Sequence, residues 1–565
     1  MCGIYCSIVQ SSTFCLHSIS NELRGILRNR GPDVENELLV ELEDGKIIFA
    51  GSVLWQQGEN VQKQPVVVDD FIYLFNGDIY NLPKDESISD TTWIAKNFSE
   101  CLNDEQKVLM LLKKLEGPYC LIMYDTKEQT LYFSRDSLGR NSLVIERFSE
   151  GIHLLSASRS TQNEKISLEL PPLGLYRVKV TDLTSCVLYP WQPLNEYTTK
   201  LLGSLDFAVG WKTTVNIPIS PDWTLKSSLR FDYDFYKYSY TGNHVDLYKT
   251  LISQPQIKES LTTLHELLCK SVKHRVQKTI PFCKGCLTNC NPITVCKHAK
   301  LCVLFSGGID CTILALLADK FAPKNDPIEL INVAFERVEG QNVSERLWDV
   351  PDRKTSKLSY NELKQLCPER RWNLLEVNVT RHELQEHLTT RIRHLIYPLK
   401  TVLDESLGCA FWFASHCSSS TARVALVGSG ADELFGGYTR HRNIFRQFQG
   451  SELERQNAVQ RELELDWQRM PARNLGRDDR VIADNGKTAR APFIEEKLVK
   501  FLRSLGAYQK CCFTLPEGVG DKLLLRLYGH QMGLQNVVLL KKRAIQFGSR
   551  IADKNQKACD YSDKL

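Results

Sequence analysis

The sequence has 565 residues, of which 42% are apolar and 24% are charged, as is typical of a soluble globular protein with two or three domains. Lysine and arginine number 71 against 67 acidic residues, and this near balance argues against a nucleic-acid-binding or membrane-surface protein. No apolar run is long enough to cross a bilayer and no signal-peptide pattern is present, so we expect a cytoplasmic location. The 19 cysteines are scattered along a long chain, which favours reduced thiols over a disulfide framework.

Residues 2–185 predict a β-rich first domain, because short apolar stretches such as CGIYCSIV and FIYLFNG alternate with turn residues. Residues 186–254 are polar and lack a clear period, so we expect a linker or a long insertion there. From residue 255 apolar residues recur at helical spacing, between Leu261 and Val276. Apolar strands that end in loops follow, separated by helical stretches. This order predicts an α/β domain with a parallel sheet over residues 255–555.

The chain begins MCGIYCSIV, which places a cysteine directly after the first methionine. Removal of Met1 would leave Cys2 with both a thiol and a free α-amine. The amine can act as general base for the thiol, because it titrates near neutrality. The alternative is an ordinary cysteine buried in a strand, and the dipeptide alone favours this alternative.

Four further motifs follow Met-Cys-Gly in a fixed order. They are RNRGPD (28–33), FNGDIYN (75–81), SDT (89–91) and RDSLGR (135–140). Each could be a turn on its own, but the set resembles the class II glutamine amidotransferases, the N-terminal-nucleophile kind. The resemblance implies catalytic roles for Cys2, Asn76 and Gly77, the last two as donors to a developing oxyanion. It also implies that Asp78 and Asp90 bind glutamine.

Two departures from this family concern glutamine binding. The family's NGE reads NGD here, so Asp78 is one methylene shorter than the expected acid. The family also has an arginine that grips the glutamine carboxylate, whereas the stretch FAGSVLWQQG has Val53 in that place. Loss of a charge-assisted pair weakens binding. Arg30 is the residue that could compensate.

The stretch LCVLFSGGIDC (301–311) reads as a strand, a glycine-rich turn and the start of a helix, an arrangement whose backbone amides can hold phosphate. The alternative is an ordinary serine–glycine turn. The stretch resembles the SGGxDS loop of N-type ATP pyrophosphatases, with Cys311 in place of the last serine, so only a weak donor is kept there. These enzymes cleave ATP to AMP and pyrophosphate.

Four later motifs resemble those of the glutamine-hydrolysing asparagine synthetases. They are VGSGADELFGGY (427–438), RAPFIEE (490–496), GDKLLLR (520–526) and KKRAIQFG (541–548). The chain is identified as a member of this family and is most similar to the divergent asparagine synthetase domain-containing proteins. One departure lies beside the expected reaction centre, where Ser429 replaces a glutamate that is thought to handle protons. Serine cannot act as a base at neutral pH without activation.

The resemblance implies a fold of mixed α+β and α/β class with two domains. The first is an N-terminal-nucleophile αββα glutaminase sandwich, and the second is an α/β ATP-pyrophosphatase synthetase domain like the adenine nucleotide alpha hydrolases. The implied cofactors are ATP and Mg²⁺, the implied substrates are glutamine, ATP and aspartate, and a homodimer is left open. The implied ATP-binding residues are Phe305, Ser306, Gly307, Gly308, Asp310, Val333, Val427, Gly428 and Lys522, and the implied Mg²⁺ ligands are Asp310 and Asp432.

Three functional interpretations are compatible with these motifs. The first is an ATP-dependent amidotransferase that makes asparagine from aspartate, glutamine and ATP through an acyl-adenylate. The second is a catalytically degenerate binding or regulatory protein, favoured by Val53, Asp78, Cys311 and Ser429. The third is an ammonia-dependent or differently specific adenylating ligase. The retained Cys2 and acidic motifs place an enzyme ahead of a scaffold.

A cysteine-rich insertion, expected over residues 281–299, precedes the phosphate-binding loop. Cys283, Cys286, Cys290 and Cys296 have C-x2-C-x3-C-x5-C spacing, and His298 follows two residues later. Four thiolates in one loop suit tetrahedral Zn²⁺ and suit a redox or iron–sulfur site less well. The alternative is an exposed, variable loop that happens to contain cysteines.

Overall fold

The computed structural model describes residues 2–10, 19–101, 104–158, 166–219, 231–289, 296–336 and 348–551. Met1, Cys290 and residues 552–555 of the expected second domain lie outside these ranges. Three sheets and the helices around them form an α+β first part and an α/β second part. The expected fold class is therefore confirmed.

Two largely antiparallel sheets form the first part of the molecule. The six-stranded sheet has the spatial order β10-β8-β9-β1-β3-β2, and the seven-stranded sheet has the order β13-β12-β11-β7-β6-β5-β4. Only the β12–β13 pair is parallel in these two sheets. The strands are β1 (Gly3–Val9), β2 (Val34–Leu42), β3 (Gly45–Val53), β4 (Val66–Val68), β5 (Phe71–Gly77), β6 (Tyr119–Asp125), β7 (Thr130–Arg135), β8 (Val144–Phe148), β9 (Gly151–Leu155), β10 (Ile166–Glu169), β11 (Gly174–Lys179), β12 (Asp182–Pro190) and β13 (Lys212–Val215).

The two sheets pack face to face over an apolar core, to which Ile4, Phe49 and Phe133 contribute. Helix α1 (Asn21–Arg30) covers the outer face of the first sheet, and α2 (Asp90–Ser99) and α3 (Glu105–Lys114) cover that of the second. Strand β1 is buried along its whole length, which explains why its sequence reads as an almost continuous apolar run. The layers form an αββα sandwich, and within it the start of β1 lies beside the end of β5.

The segment expected as an unpatterned linker contains regular structure. Its residues 186–215 pack on the first part of the chain, whereas Leu247, Tyr248 and Leu251 near its end enter the core of the second part. The segment holds the end of β12, helix α4 (Glu196–Val209) and strand β13. Leu202, Leu205 and Val209 lie on one face of α4 and enter the core between the two sheets. Gly210 ends the helix in a left-handed conformation with φ of 76°. The polar composition of the segment hid this narrow apolar face.

The second part is built on a five-stranded parallel sheet with the order β16-β15-β14-β17-β18. The strands are β14 (Leu301–Leu304), β15 (Ile328–Phe335), β16 (Trp372–Val379), β17 (Val424–Leu426) and β18 (Thr488–Arg490). The order reverses direction at β14, so the loops after β14 and β17 open a crevice at the carboxyl edge of the sheet.

Helices cover both faces of this sheet and bury two apolar clusters against it. The apolar spacing from Leu261 to Val276 lies on a 23-residue helix, as predicted. The helices are α5 (His244–Ser253), α6 (Pro255–Gln277), α7 (Lys284–Asn289), α8 (Ile309–Phe321), α9 (Pro351–Leu366), α10 (Arg381–His387), α11 (Arg393–Ile396), α12 (Val402–Ser415), α13 (Ala431–Phe435), α14 (Thr439–Gln447), α15 (Glu452–Met470), α16 (Gly476–Ala483), α17 (Glu496–Ser504), α18 (Leu523–Gln531) and α19 (Ile545–Gly548). None of the described helices combines the length and apolar content needed to cross a bilayer.

Buried ion pairs join the two parts of the molecule. Such pairs are costly to break, because a single charge left without its partner is poorly solvated there. The first part therefore has a defined orientation on the second. The pairs are Arg30–Asp479, Arg140–Glu496, Arg480–Glu169, Arg423–Asp33 and Arg490–Asp78.

Candidate functional site

Cys2 lies at the start of β1, in a cleft between the two sheets of the sandwich. Its backbone nitrogen donates to Asn76 Oδ1 at 2.7 Å, and its carbonyl oxygen accepts from Ser156 Oγ at 3.2 Å. Gln64 Nε2 lies 3.6 Å from Cys2 Sγ. Burial raises the pKa of the Cys2 thiol. The thiol therefore needs a base beside it to act as a nucleophile near neutral pH.

Asn76 and Gly77 end strand β5 next to Cys2. Asn76 Oδ1 is occupied by the Cys2 nitrogen, but Asn76 Nδ2 is buried and has no hydrogen-bond partner among the described residues. A side chain at position 77 is excluded, since a Cβ there would lie 2.3 Å from the Pro118 carbonyl oxygen. A spare buried amide beside a thiol is a donor that an oxyanion can use.

The two acids expected to bind glutamine are already paired within the protein. Asp78 accepts from Arg490 at 2.9 and 3.2 Å, and Gln57 Nε2 donates to Asp78 Oδ1 at 2.7 Å. Burial opposes ionisation of Asp78, but Arg490, the amino-terminal charge and Gln57 together outweigh burial and lower the pKa. Asp90 accepts from the Ile79 amide at 2.7 Å. Asp78 therefore forms an ion pair with Arg490 of the second part of the chain, and the NGD motif did not predict this pair.

Asp90 is the first residue of α2 and is also buried. Lys84 Nζ lies 3.2 Å from Asp90 Oδ1, and the Lys84 side chain is only 7% exposed. Burial raises the pKa of Asp90 even though Lys84 opposes that shift. No motif or spacing in the sequence connects these two residues.

The cleft beside Cys2 is small and contains no arginine among its lining residues. Its volume is about 40 Å³, which is room for about three water molecules at 10–15 Å³ each. Val53 and Trp55 line it together with Cys2. Arg30, the residue that could compensate for Val53, is not among the lining residues, and its guanidinium donates to Cys2 O at 3.4 Å and to Asp479 at 2.9 Å. In this conformation the cleft is smaller than a glutamine molecule requires.

The phosphate-binding loop predicted from LCVLFSGGIDC lies between β14 and α8. Gly307 has φ of 79°, and a Cβ there would lie 2.4 Å from the Ser356 nitrogen. Thr355 Oγ1 donates to the Ser306 carbonyl at 2.7 Å and fixes the turn. Gly308 caps α8 without a side chain, so the first amides of the helix stay free for an anionic group. Cys311 Sγ donates to the Gly308 carbonyl at 3.2 Å.

A lysine and two aspartates meet at the edge of a pocket beside this loop. They are Lys522, Asp310 and Asp432, and 212 positions separate the lysine from Asp310. Lys522 Nζ lies 2.8 and 2.6 Å from the two Asp310 oxygens and 2.6 Å from Asp432 Oδ1. Lys542 Nζ lies 2.5 Å from Asp432 Oδ2. Burial opposes ionisation of Asp432, but these two lysines lower its pKa well below the usual range.

Two carboxylates that meet at one point are ligands that Mg²⁺ takes together with phosphate oxygens. Asp310 and Asp432 fit this description, since both lie within 2.8 Å of the same ammonium group. Gly437 allows the approach, because a Cβ there would lie 2.2 Å from Lys522 Cε. The residues present are therefore suited to a hard cation beside a polyphosphate.

The pocket around these residues has a volume of about 430 Å³. Phe305, Ser306, Gly308, Asp310, Val333, Val427, Gly428 and Asp432, all named from the sequence as nucleotide or Mg²⁺ residues, line it. Gly307 and Lys522 are not among the lining residues, but Lys522 contacts Asp310 and Asp432, which are. The pocket is large enough for a nucleotide and a small acid, and is about ten times the volume of the cleft at Cys2.

Several further charged residues line this pocket without having been assigned from the sequence, among them Asp352, Glu433 and Lys542. Lys542 belongs to the KKRAIQFG motif, so a signal for it was present. Burial raises the pKa of Asp352 to about 7, and burial together with Asp432 raises the pKa of Glu433 to about 7. Tyr438 donates to Glu433 Oε1 at 2.6 Å. Glu433 lies in the VGSGADELFGGY motif, whose sequence suggests helix N-capping for it and no role in the pocket.

A small cavity of about 30 Å³ lies beside the pocket, and the two share Val427, Ser429 and Asp478 as lining residues. Asn141 also lines this cavity, and its Nδ2 donates to the carbonyl of Asn76, which lies next to Cys2. The two candidate sites are thus connected through a few buried side chains. No sequence motif indicated this connection.

The insertion brings three of its four cysteines together. Cys283, Cys286 and Cys296 meet at His298, and their ligand atoms all lie within 4.8 Å of one another. Cys290, the remaining residue of the predicted zinc site, lies outside the described residues. The described group therefore contains the histidine that the sequence interpretation placed beside the site.

Comparisons with known proteins agree with both halves of this description. Residues 1–182 match the family model of the glutamine amidotransferase domain, and residues 295–553 match that of asparagine synthase. An asparagine synthetase domain-containing protein of Drosophila melanogaster is 67% identical over 565 residues, which covers all of both chains. The Homo sapiens asparagine synthetase domain-containing protein 1 is 34% identical over 635 residues, covering 100% of this chain and 98% of its own.

A more distant relative extends the match to yeast. The asparagine synthetase domain-containing protein of Saccharomyces cerevisiae is 30% identical over 568 residues, which covers 95% of this chain and 89% of that protein. The similarity therefore spans the cleft, the pocket and the connection between them. The chain belongs to the family of asparagine synthetase domain-containing proteins, in which an amidotransferase domain precedes an asparagine synthase domain.

Proposed function

We propose that this chain is an ATP-dependent ligase that adenylates the side-chain carboxylate of aspartate and converts it into asparagine. The observation that carries the proposal is the convergence of Asp310, Asp432 and Lys522 at a pocket of about 430 Å³. A structural core would not need two acids and two lysines beside a glycine-rich loop, since buried charges are costly unless they serve each other or a ligand.

The pocket would perform the first half of the reaction. The amides of the loop and of the α8 start bind phosphate oxygens, and Asp310 and Asp432 would hold Mg²⁺, which supplies positive charge against the polyphosphate. An aspartate oxygen attacks the α-phosphorus, the bond to the β-phosphate oxygen breaks, and pyrophosphate leaves. Lys522 and Lys542 stabilise the negative charge that develops on the leaving group.

Ammonia then attacks the acyl carbon and AMP leaves, which gives asparagine. We propose that the nitrogen can come from glutamine at Cys2, once Met1 is removed and the Cys2 amine can take the thiol proton. Asn76 Nδ2 is placed to donate to the oxyanion. The cavity that contains Ser429 would give ammonia a short route to the pocket.

We further propose that free ammonium is a better donor than glutamine. Asp78 and Asp90 are already paired with Arg490 and Lys84, and Val53 stands where an arginine would bind the glutamine carboxylate. Losing one charge-assisted hydrogen bond costs about 1.5–3 kcal/mol of binding. Glutamine binding at Cys2 is therefore expected to be weak.

The test is pyrophosphate release by the purified full chain with ATP, Mg²⁺ and aspartate, supplied with glutamine, with ammonium or with neither. We expect release with ammonium, less release with glutamine, and asparagine as the product. Cys2→Ala should remove only the glutamine-driven release, and Cys101→Ala, at a half-buried cysteine far along the sequence, should change neither. Release of pyrophosphate with both nitrogen donors, but without formation of asparagine, would contradict aspartate as the acceptor.

One observation favours a second candidate, a binding or regulatory protein. The acids of the Cys2 cleft bond to protein lysine and arginine rather than facing open space. This candidate predicts that the chain binds ATP but releases no pyrophosphate with any donor. The same assay, combined with equilibrium ATP binding, separates the two.

A further inference from the structure

The cysteine-rich insertion forms a compact group of four ligand atoms from two short arms. Cys283 and Cys286 flank the start of α7, and Cys296 and His298 lie on the returning arm. His298 Nδ1 lies 3.6 Å from Cys283 Sγ, 3.3 Å from Cys286 Sγ and 3.9 Å from Cys296 Sγ. All three cysteines are free thiols rather than disulfides. One nitrogen thus faces three sulfur atoms.

These distances match those of a tetrahedral zinc site. With Zn–S of about 2.3 Å and Zn–N of about 2.0–2.1 Å, tetrahedral angles place nitrogen and sulfur about 3.6 Å apart. The three observed separations surround this value. An ordinary surface loop has no reason to bring four such atoms within 4.8 Å. Three thiolates and one imidazole are also a common ligand set of structural zinc.

The backbone supports the same geometry. The Cys286 amide donates to Cys283 Sγ at 3.3 Å, a hydrogen bond that stabilises a thiolate.

Both arms of the insertion form hydrogen bonds with Thr421, which lies three residues before β17 of the parallel sheet. The Lys284 amide donates to the Thr421 carbonyl at 2.9 Å, and Thr421 Oγ1 donates to the Ala299 carbonyl at 2.9 Å. The Phe282 ring lies 6.4 Å from that of Trp55, which lines the Cys2 cleft. The group therefore lies where the insertion meets both parts of the molecule.

We propose that Cys283, Cys286, Cys296 and His298 bind one structural Zn²⁺ that joins the two arms of the insertion. The site has four protein ligands and no open position, so its role is structural and not catalytic. His298, rather than Cys290, completes the set. The proposal is independent of the reaction at either candidate site.

The first test is the zinc content of the full chain after purification without chelators, measured by mass spectrometry of the metal. We expect about one zinc per chain in the wild type. His298→Asn should lower the zinc that survives dialysis by at least about tenfold, since even outer-shell changes lower metal affinity about 10–100-fold. Cys290→Ser is the matched control and should retain full zinc. Far less than one equivalent in the wild type overturns the proposal, and so does loss in Cys290→Ser with retention in His298→Asn.

A second measurement does not depend on variants that fold. The wild-type chain is alkylated with and without a strong chelator, and modified cysteines are located by peptide mass spectrometry. We expect Cys283, Cys286 and Cys296 to be protected until the chelator is added, whereas the half-buried Cys101 reacts equally in both samples. Equal reaction of all four cysteines in both samples, or a disulfide between Cys283 and Cys286, contradicts the proposal.

Discussion

The cleft at Cys2 and the pocket at Asp432 use their charged residues in opposite ways. In the cleft, Asp78 is bonded to Arg490, and the remaining volume is about 40 Å³. In the pocket, Asp310 and Asp432 share Lys522 at the edge of about 430 Å³ of space. The paired charges of the cleft leave little volume beside them and stabilise the fold. The paired charges of the pocket border a space large enough for a ligand, to which they are available. The cleft is therefore the less open of the two candidate sites, although each domain contains two of the departures from the family motifs.

The largest effect is expected from breaking the ion pair in the cleft. Arg490→Met leaves the carboxylate of Asp78 buried without its partner, which should lower the free energy of unfolding by about 3–5 kcal/mol. Urea denaturation measures the change. The double variant Asp78→Asn, Arg490→Met should recover part of the loss, and Lys200→Met, at an exposed pair, should change little. An unchanged free energy of unfolding in Arg490→Met would mean that Asp78 does not depend on Arg490 and is free to bind a substrate amine.

The next effect concerns the pocket and should appear in catalysis. Asp432→Asn removes a carboxylate that faces Lys522 and Lys542, and we expect pyrophosphate release to fall by about 10²–10³-fold with either nitrogen donor. Asp70→Asn, at an exposed ion pair, is the control. Unchanged release in Asp432→Asn would show that the pocket charges are structural, like those of the cleft.

The pH dependence of stability should distinguish Glu433, whose pKa is raised by burial, from Asp78, whose pKa is lowered by its partners. Burial raises the pKa of Glu433 from 4.5 to about 7, so the folded state keeps a proton that the unfolded state has lost. Stability contributed by protonated Glu433 is therefore present below about pH 4.5 and is lost as the pH rises toward about 7, by about 3 kcal/mol in total. Glu433→Gln should flatten this part of the unfolding profile. Parallel profiles for the two proteins would contradict the raised pKa.

The smallest effect tests a departure within the pocket itself. Cys311 donates weakly to the Gly308 carbonyl, and Cys311→Ser restores a stronger hydroxyl donor. One hydrogen bond contributes about 0.5–1.5 kcal/mol, so ATP should bind about two- to tenfold more tightly. Cys311→Ala, without a donor, should show no gain. A gain of more than about a hundredfold would mean that the pocket, too, has lost much of its binding energy.

The sequence predicted the pocket better than the cleft. The glycine-rich turn after a buried strand and the DELFGGY stretch each contain local patterns, so their meeting at the sheet edge could be anticipated. The pairs Asp78–Arg490 and Asp90–Lys84 could not, because no spacing or period records which charged side chains face each other across the fold. Helix α4 was missed for a different reason, since its narrow apolar face was present but diluted by polar residues.

The most direct measurement is a competition between the two nitrogen donors in one reaction. Glutamine labelled with heavy nitrogen in its side-chain amide and unlabelled ammonium are supplied at equal concentration with ATP, Mg²⁺ and aspartate, and the label in asparagine is read by mass spectrometry. We predict asparagine that is mostly unlabelled, formed in the pocket from ammonium. Mostly labelled asparagine would contradict the contrast between a closed cleft and an open pocket, and no asparagine at all would contradict the ligase.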